Sequence, residues 1–235
     1  PATGFAIGGL MTAVLAISAL IALPDFLVKF AGLIITKCFY RIKVAGLENM
    51  PVDGPALLVS NHVTWVDSLI ISATTQRRIR FMMLRSIYQN RWLKPIFKLM
   101  KIIPVSPADG PRRVLASLAE ARAAMDDGYI VCIFAEGALT RNGNLQAFRP
   151  GFERIVKGSN YPVIPVYIGG AWGSIFSYYA GELLAGYPKK IPYPVTVRYG
   201  EQLSPTATAG EVRHAVLELS SREAEFRKNP GRNLG

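Results

Sequence analysis

The sequence has only two cysteines, Cys38 and Cys132, and they stand far apart in the chain. Neither forms a C-x-x-C pair or stands at a spacing from histidine that indicates a metal site. This scarcity excludes a disulfide framework as the basis of the fold. We expect both to be buried, reduced thiols, which fits a reducing cytoplasmic setting.

Acidic residues are also scarce, since 16 Asp and Glu stand against 27 Lys and Arg and give a formal net charge of +11. Such an excess predicts a negatively charged partner, which could be nucleic acid, anionic lipid or an acidic carrier protein. The chain shows no zinc-finger, RNP or helix-turn-helix signature, so we do not expect it to bind nucleic acid.

No Asp or Glu occurs between residues 68 and 108, where basic and apolar residues alternate. This stretch predicts a surface that meets a membrane or docks an acidic carrier protein. For any single residue, a merely solvated basic face is the alternative. Pro95 argues against one continuous helix. The predicted surface comprises Arg85, Arg91, Trp92, Lys94, Lys98 and Lys101.

Charge is absent from residues 1–24, and residues 5–23 are almost wholly apolar. As a helix this stretch is long enough to cross a bilayer. We expect Pro24 to end it, before a second, more amphipathic segment. A true span and a hairpin in one leaflet both fit, and a buried core helix is the alternative. The missing initiator Met indicates an excerpt or a processed form. We assign 1–38 to a membrane-associated helical segment, 39–228 to the main domain and 229–235 to a flexible tail.

Beyond residue 40, short β-rich runs alternate with helical patterns. Amphipathic helices are predicted in "PRRVLASLAEARAAMDDG" and "EVRHAVLELSSREAEFRK", and His214 falls on the solvated side of the second. This alternation predicts an α/β fold in which helices cover a sheet. Strands are expected near residues 40–45, 55–60, 79–84, 102–105, 129–135, 162–168 and 194–199.

The stretch "LLVSNHVTWVDSLI" places His62 and Asp67 directly after a buried strand. Residues five apart on a regular helix point about 140° apart, so these two can meet only if His62 is still in a loop. A strand ending near Ser60 and a helix capped by Thr64 would supply that arrangement. The carboxylate could then orient an imidazole that takes a proton from an alcohol. Alternatively, Thr64 and Asp67 form a capping box with no catalytic role.

A second polar cluster follows another apolar run, in "YIVCIFAEGALTRNGNLQAFRPG". Glu136 and Gly137 end the strand, and Arg141 and Arg149 follow in a polar loop. Glycine lets a backbone approach a ligand closely, and guanidinium groups bind phosphate through paired hydrogen bonds. The cluster therefore predicts an anion site, with a solvated surface loop as the alternative.

In order along the chain, "NHVTWVD", "FAEGALTR", "FRPG" and "VIPV" resemble the four sequence blocks of the glycerolipid acyltransferase family. The resemblance covers about residues 40–200. It implies a glycerol-3-phosphate acyltransferase-like fold, with a mixed, mostly parallel sheet flanked by helices, so that 39–228 is an acyltransferase domain. It also implies that His62 and Asp67 are the catalytic pair and that Glu136, Gly137 and Arg141 bind the acceptor's phosphate region. From its place in the polar loop, Arg149 is expected to join them. The usual third block reads E-G-T-R-S, whereas Ala138 and Leu139 intervene here and displace Arg141.

"IPYPVTVRYGEQL" and the N-terminal segment are more similar to the module of bacterial 2-acylglycerophosphoethanolamine acyltransferases. That likeness implies transfer from acyl carrier protein or coenzyme A to a lysophospholipid, expected to be 2-acyl-lysophosphatidylethanolamine, with no metal or cofactor. It also implies possible fusion to flippase and acyl-carrier-protein synthetase domains and a bacterial inner membrane. The basic residues Lys37, Arg41 and Lys43 after the apolar segment predict that the domain lies on the cytoplasmic side. A 1-acylglycerol-3-phosphate acyltransferase is the alternative enzyme. A lipid-binding accessory domain of a lysophospholipid transporter is the non-enzyme alternative.

Overall fold

The structure is a computed structural model that describes residues 2–106, 108, 110–182 and 191–228, so the predicted tail 229–235 lies outside it. The helices are α1 (Ala2–Phe39), α2 (Asp67–Ser72), α3 (Arg85–Tyr88), α4 (Lys94–Leu99), α5 (Pro111–Asp126), α6 (Glu153–Val156) and α7 (Ala209–Lys228). The strands are β1 (Tyr40–Ala45), β2 (Ala56–Ser60), β3 (Ile79–Leu84), β4 (Ile103–Val105), β5 (Ile130–Phe134), β6 (Val163–Gly169) and β7 (Tyr193–Tyr199).

The described strands form one sheet in the order β1-β7-β6-β2-β5-β3-β4. Strands β6, β2, β5, β3 and β4 run parallel to one another, whereas β7 pairs antiparallel with β6 and β1 follows the direction of β7. The expected mixed, mostly parallel sheet is therefore confirmed. The carboxyl ends of the central strands β6, β2 and β5 meet at one edge, where ligands bind in open α/β sheets.

Two apolar clusters cover the two faces of the sheet. Along β2, Leu58 belongs to one cluster while Leu57 and Val59 belong to the other, as the two-residue period of a strand requires. Helix α2 packs on the first face, and α5, α6 and α7 pack on the second. Every residue of β2 is buried, which places the strand before His62 at the centre of the fold.

Helix α1 runs unbroken from Ala2 to Phe39, so the expectation that Pro24 ends the first segment is wrong. A proline removes one backbone donor from a helix, and this can be tolerated without ending it. The expectation of a buried Cys38 is also wrong, because its position in the last turn of α1 leaves it exposed; Cys132 is buried as expected. Among the described residues, no helix is both long and apolar enough to cross a bilayer.

The basic stretch after β3 forms two short helices, α3 and α4. Pro95 lies in the first turn of α4, where its missing N–H costs no helical hydrogen bond. The expectation of a discontinuous basic helix is confirmed, although Pro95 begins a helix rather than interrupting one. Helix α4 also contacts α1, so the two predicted lipid-facing segments adjoin.

Candidate active site

The site begins where β2 ends at the middle of the sheet. The buried Asn61 side chain donates from Nδ2 to the Ile168 carbonyl at 3.0 Å and accepts from the Ile168 amide at 2.8 Å. This pair of bonds extends the β2 to β6 pairing by one residue through a side chain. Asn61 thereby fixes the point at which the chain turns to place His62 outside the sheet.

His62 and Asp67 form the predicted pair, with 2.9 Å between Nδ1 and Oδ2. His62 precedes α2, as the spacing required, and Asp67 is its first residue. The imidazole stacks on Phe134 with 4.1 Å between ring centroids, and its side chain is 22% exposed. The bond at Nδ1 leaves Nε2 as the nitrogen that can accept a proton.

Four hydrogen bonds hold the fully buried Asp67 carboxylate in place. Oδ2 accepts from the Val63 amide at 2.6 Å and the Thr64 amide at 2.9 Å, besides His62 Nδ1. Oδ1 accepts from the Thr64 hydroxyl at 2.6 Å. One carboxylate thus bonds both the backbone of the turn and the imidazole, so the geometry required by the catalytic alternative and the bonding of the turn are both present. The expected Thr64 cap is wrong in detail, since Val66 precedes the helix.

Replacing Thr64 with Val removes the hydroxyl donor at Oδ1 while keeping the side-chain volume. A hydrogen bond to a buried charged group contributes about 1.5–3 kcal/mol, so we expect the free energy of unfolding to fall by that amount. Urea denaturation measures it. Thr64→Ser retains the hydroxyl and serves as the matched control. Equal stability of the Val and Ser variants would show that this bond does not stabilise the turn.

A second polar layer lies behind Thr64. The buried Tyr40 hydroxyl is 3.1 Å from Ser174 Oγ. Burial raises the pKa of Tyr40 above its ordinary range, with the nearby Asp67 charge adding to the shift, while Ser174 and Thr64 oppose it. Tyr40 therefore keeps its proton close to Thr64 and Asp67. Neither Tyr40 nor Ser174 belongs to a recognisable motif, so no sequence signal indicates their position.

Glu136 follows β5, which lies next to β2, and it is only 6% exposed. Its Oε2 has no hydrogen-bond partner among the described residues. Burial raises the pKa of Glu136 from 4.5 to about 7, although hydrogen bonds from the backbone of Gln146 and His62 oppose the shift. The predicted acid thus lies buried beside the turn that carries His62, and one of its carboxyl oxygens is enclosed without a partner among the described residues.

This raised pKa makes stability depend on pH. Between pH 4.5 and about 7 the folded state keeps a proton on Glu136 that the unfolded state has lost. The free energy of unfolding therefore falls as pH rises through this window. Relative to Glu136→Gln, we expect wild type to lose up to about 3 kcal/mol between pH 5 and pH 8. Thermal denaturation at both pH values measures the loss. Glu120→Gln, at an exposed position on α5, is the control, and a pH-independent difference would contradict the assignment.

The remaining predicted anion ligands lie in the loop after Glu136. Gly137 has φ +73°, and a Cβ there would lie 2.7 Å from Arg149 Nε. Only glycine therefore lets the Arg149 side chain pack against this turn. Arg141 is placed differently, with its Cζ 3.7 Å from the centroid of the Tyr178 ring. Tyr178 comes from a segment after β6 that belongs to none of the four sequence blocks.

The predicted basic surface is spread along the chain from β3 to β4. Arg85 is half-buried and donates to the Pro104 carbonyl at 3.4 Å. Arg91 stacks over Trp92 at 4.9 Å, and Trp92 is 76% exposed. Lys101 is 3.4 Å from the Tyr129 hydroxyl, at the amino end of β5 and away from His62. Lys94 and Lys98 are exposed on α4.

Comparisons with known proteins identify relatives of this chain. A model of the acyltransferase family matches residues 41–169. The chain is 27% identical over 142 residues to a chloroplastic 1-acyl-sn-glycerol-3-phosphate acyltransferase of Arabidopsis thaliana, which covers 60% of this chain and 39% of that protein. It is 25% identical over 130 residues to a 1-acyl-sn-glycerol-3-phosphate acyltransferase of Borreliella burgdorferi, covering 54% of this chain and 50% of that protein. The chain thus spans half or less of the length of these relatives.

The fold also matches a solved structure. The 1-acyl-sn-glycerophosphate acyltransferase of Thermotoga maritima superposes with a TM-score of 0.63 and 21% sequence identity. The match covers 90% of this chain and 81% of that one. At this level of identity the likeness concerns the fold, and it agrees with the mixed sheet described above.

Proposed function

Because the chain belongs to the acyltransferase family, we propose that it transfers a fatty acyl chain from a thioester to the free hydroxyl of 1-acylglycerol-3-phosphate. The single observation that carries this proposal is the His62–Asp67 pair at the carboxyl edge of the sheet. The relatives reported above support the acceptor, since both are named for it. This choice replaces 2-acyl-lysophosphatidylethanolamine, the acceptor expected from the sequence. Those relatives give no support to the expected fusion with flippase and synthetase domains.

The proposed reaction starts with His62 as general base. Nε2 takes the proton from the acceptor hydroxyl while the hydroxyl oxygen attacks the thioester carbonyl carbon. Asp67 holds the Nδ1 proton and stabilises the imidazolium that forms. The tetrahedral intermediate then collapses, the carbon–sulfur bond breaks, and the imidazolium returns its proton to the departing thiolate. An ester and a free thiol result, and the only co-substrate is the acyl thioester.

The acceptor's head would lie beside Glu136. A protonated Glu136 is a hydrogen-bond donor, and its Oε2, buried without a partner among the described residues, would lie in the wall of the headgroup site. Gly137, at the start of the same loop, packs against Arg149 at its end, and Arg141 lies between them in the sequence. Guanidinium groups in this loop supply the positive charge that a phosphate monoester requires.

The basic segment and α1 support binding at a membrane surface. Trp92, Leu93 and Ile96 are exposed between basic residues, and an aromatic residue flanked by cations suits the bilayer interface. In the amino-terminal half of α1, the exposed apolar side chains include Phe5, Ile7, Leu10, Met11, Val14, Leu15 and Ile17. We place the protein at the cytoplasmic face of a bacterial inner membrane. The same positive surface would receive acyl carrier protein or coenzyme A as donor.

Product formation tests the proposal directly. Purified protein is incubated in detergent micelles with acyl carrier protein or coenzyme A thioesters, and with 1-acylglycerol-3-phosphate or 2-acyl-lysophosphatidylethanolamine. We expect phosphatidic acid to form faster than phosphatidylethanolamine. Faster phosphatidylethanolamine formation would restore the acceptor expected from the sequence. Lysolipid binding with no product from any pair would favour the accessory-domain alternative.

A further inference from the structure

The segment from Trp172 to Ala180 lies against the turn of residues 62–67, which carries the proposed catalytic pair and is called the catalytic turn below. The Trp65 amide donates to the Phe176 carbonyl at 3.1 Å, and Thr64 forms an isolated β-bridge with Ser177. Both contacts fall between His62 and Asp67 in the sequence. A segment that follows β6 is thereby fixed next to the proposed acceptor site, although none of the four sequence blocks includes it.

The same segment also interlocks with the loop that carries Arg141. Gly143 has φ +78°, and a Cβ there would lie 2.8 Å from Trp172 Cδ1, so the tryptophan ring occupies the space above this glycine. Two residues before Gly143 in the same loop, the Arg141 guanidinium lies 3.7 Å from the Tyr178 ring centroid. The Tyr178 ring in turn lies 6.3 Å from the Trp65 ring.

The backbone on either side of Arg141 is held independently of Tyr178. The Thr140 amide donates to the His62 carbonyl at 2.9 Å, which ties this loop to the catalytic turn. The Thr140 hydroxyl donates to the Asn144 carbonyl at 3.0 Å and also contacts Asn142 at 3.1 Å. These bonds fix the backbone of Arg141. Its long, exposed side chain could still adopt several rotamers.

We propose that Tyr178 is a positioning residue that holds the Arg141 guanidinium beside His62 for the phosphate of the acceptor. This inference rests on the proposed function and names the element that recognises its headgroup. Stacking engages the face of the guanidinium and leaves its in-plane N–H donors available for paired bonds to phosphate oxygens. A fixed cation at this place also favours a phosphate monoester over a headgroup that carries an ammonium group.

Steady-state kinetics of Tyr178 variants test this role. With 1-acylglycerol-3-phosphate as the varied substrate, we expect Tyr178→Leu to raise KM about 3- to 30-fold. We expect kcat to change less than about 3-fold, because the proton transfer at His62 is untouched. Tyr178→Phe keeps the ring and should stay within about 2-fold of wild type in both constants. Tyr161→Leu is the matched control, since Tyr161 stacks with Arg122 at 5.1 Å and packs with the cluster on the other face of the sheet.

Coupling to Arg141 separates positioning from a general structural effect. If Tyr178 acts through Arg141, Arg141→Ala combined with Tyr178→Leu should raise KM no more than Arg141→Ala alone. The role would be overturned if the two substitutions raised KM multiplicatively in the double variant. It would also be overturned if Tyr178→Leu left KM unchanged, or if Tyr178→Phe raised KM as much as Tyr178→Leu. Absence of phosphatidic acid from wild type would overturn the proposed function itself. If wild type forms phosphatidic acid and Tyr178→Leu has the wild-type KM, only the positioning role would be overturned.

Discussion

Replacement of His62 with Ala is expected to lower kcat for acyl transfer by about 10²- to 10⁴-fold, the usual contribution of a positioned general base. The KM for the acceptor should change little, because the proposed phosphate contacts lie on other side chains. The substitution also leaves Asp67 with three of its four donors, so the turn should remain folded. Initial rates of phosphatidic acid formation over a range of acceptor concentrations separate the two constants.

The chain offers a matched control for this variant. His214 is the other of its two histidines, and its side chain is 72% exposed on α7, where it pairs with Glu218. His214→Ala should leave kcat within about 2-fold of wild type, as surface substitutions usually do. A His62→Ala protein that melts at the wild-type temperature and keeps more than a tenth of wild-type kcat would exclude His62 as the base.

Replacement of Asp67 with Asn is expected to lower kcat by about 10²- to 10⁴-fold, even though the side chain keeps its size. Oδ2 accepts from two amides and from His62 Nδ1. An amide nitrogen at that place would face three donors, and an amide oxygen there would carry no charge to stabilise the imidazolium. With the amide oxygen at the Oδ2 position, the amide nitrogen would lie at the Oδ1 position, next to the Thr64 hydroxyl. Unfolding free energy should fall as well, by about 1–3 kcal/mol, because the buried hydrogen bonds to this side chain lose the carboxylate charge.

Single-turnover rates and urea denaturation, measured on the same Asp67→Asn preparation, distinguish loss of chemistry from loss of folding. Asp126→Asn provides the comparison, because Asp126 pairs with Arg122 at 2.9 Å on the surface of α5. Exposed pairs of this kind contribute little to stability, so little change is expected in either measurement. A folded Asp67→Asn enzyme with the wild-type single-turnover rate would show that the carboxylate serves only the turn.

Much of the secondary structure could be predicted because its signals are local. Each strand was expected within one residue of its observed bounds, since apolar alternation and flanking turns mark strands directly. The order of strands could not be derived in this way. Strand β1 pairs with β7 from the far end of the domain, and no local pattern encodes that contact. The course of α1 through Pro24 was also missed, because a local breaker signal does not decide whether a helix continues.

In the candidate site too, positions marked by local sequence signals could be predicted, whereas contacts between distant segments could not. The contact between His62 and Asp67 could be predicted, because residues at this spacing can meet only if His62 is still in a loop. The position of Glu136 could be predicted because it follows an apolar strand. Asn61, Tyr40 and Tyr178 could not be assigned in advance. Their partners, Ile168, Ser174 and Arg141, lie in other elements and become neighbours only when the strands assemble.

The central claim is that His62 and Asp67 act as one catalytic unit, and a double-mutant cycle tests it most directly. The kcat for acyl transfer to 1-acylglycerol-3-phosphate is measured for wild type, His62→Ala, Asp67→Asn and the combined variant. If Asp67 acts through the imidazole, the combined variant should be no slower than His62→Ala alone. A combined loss equal to the product of the two single losses would contradict the claim.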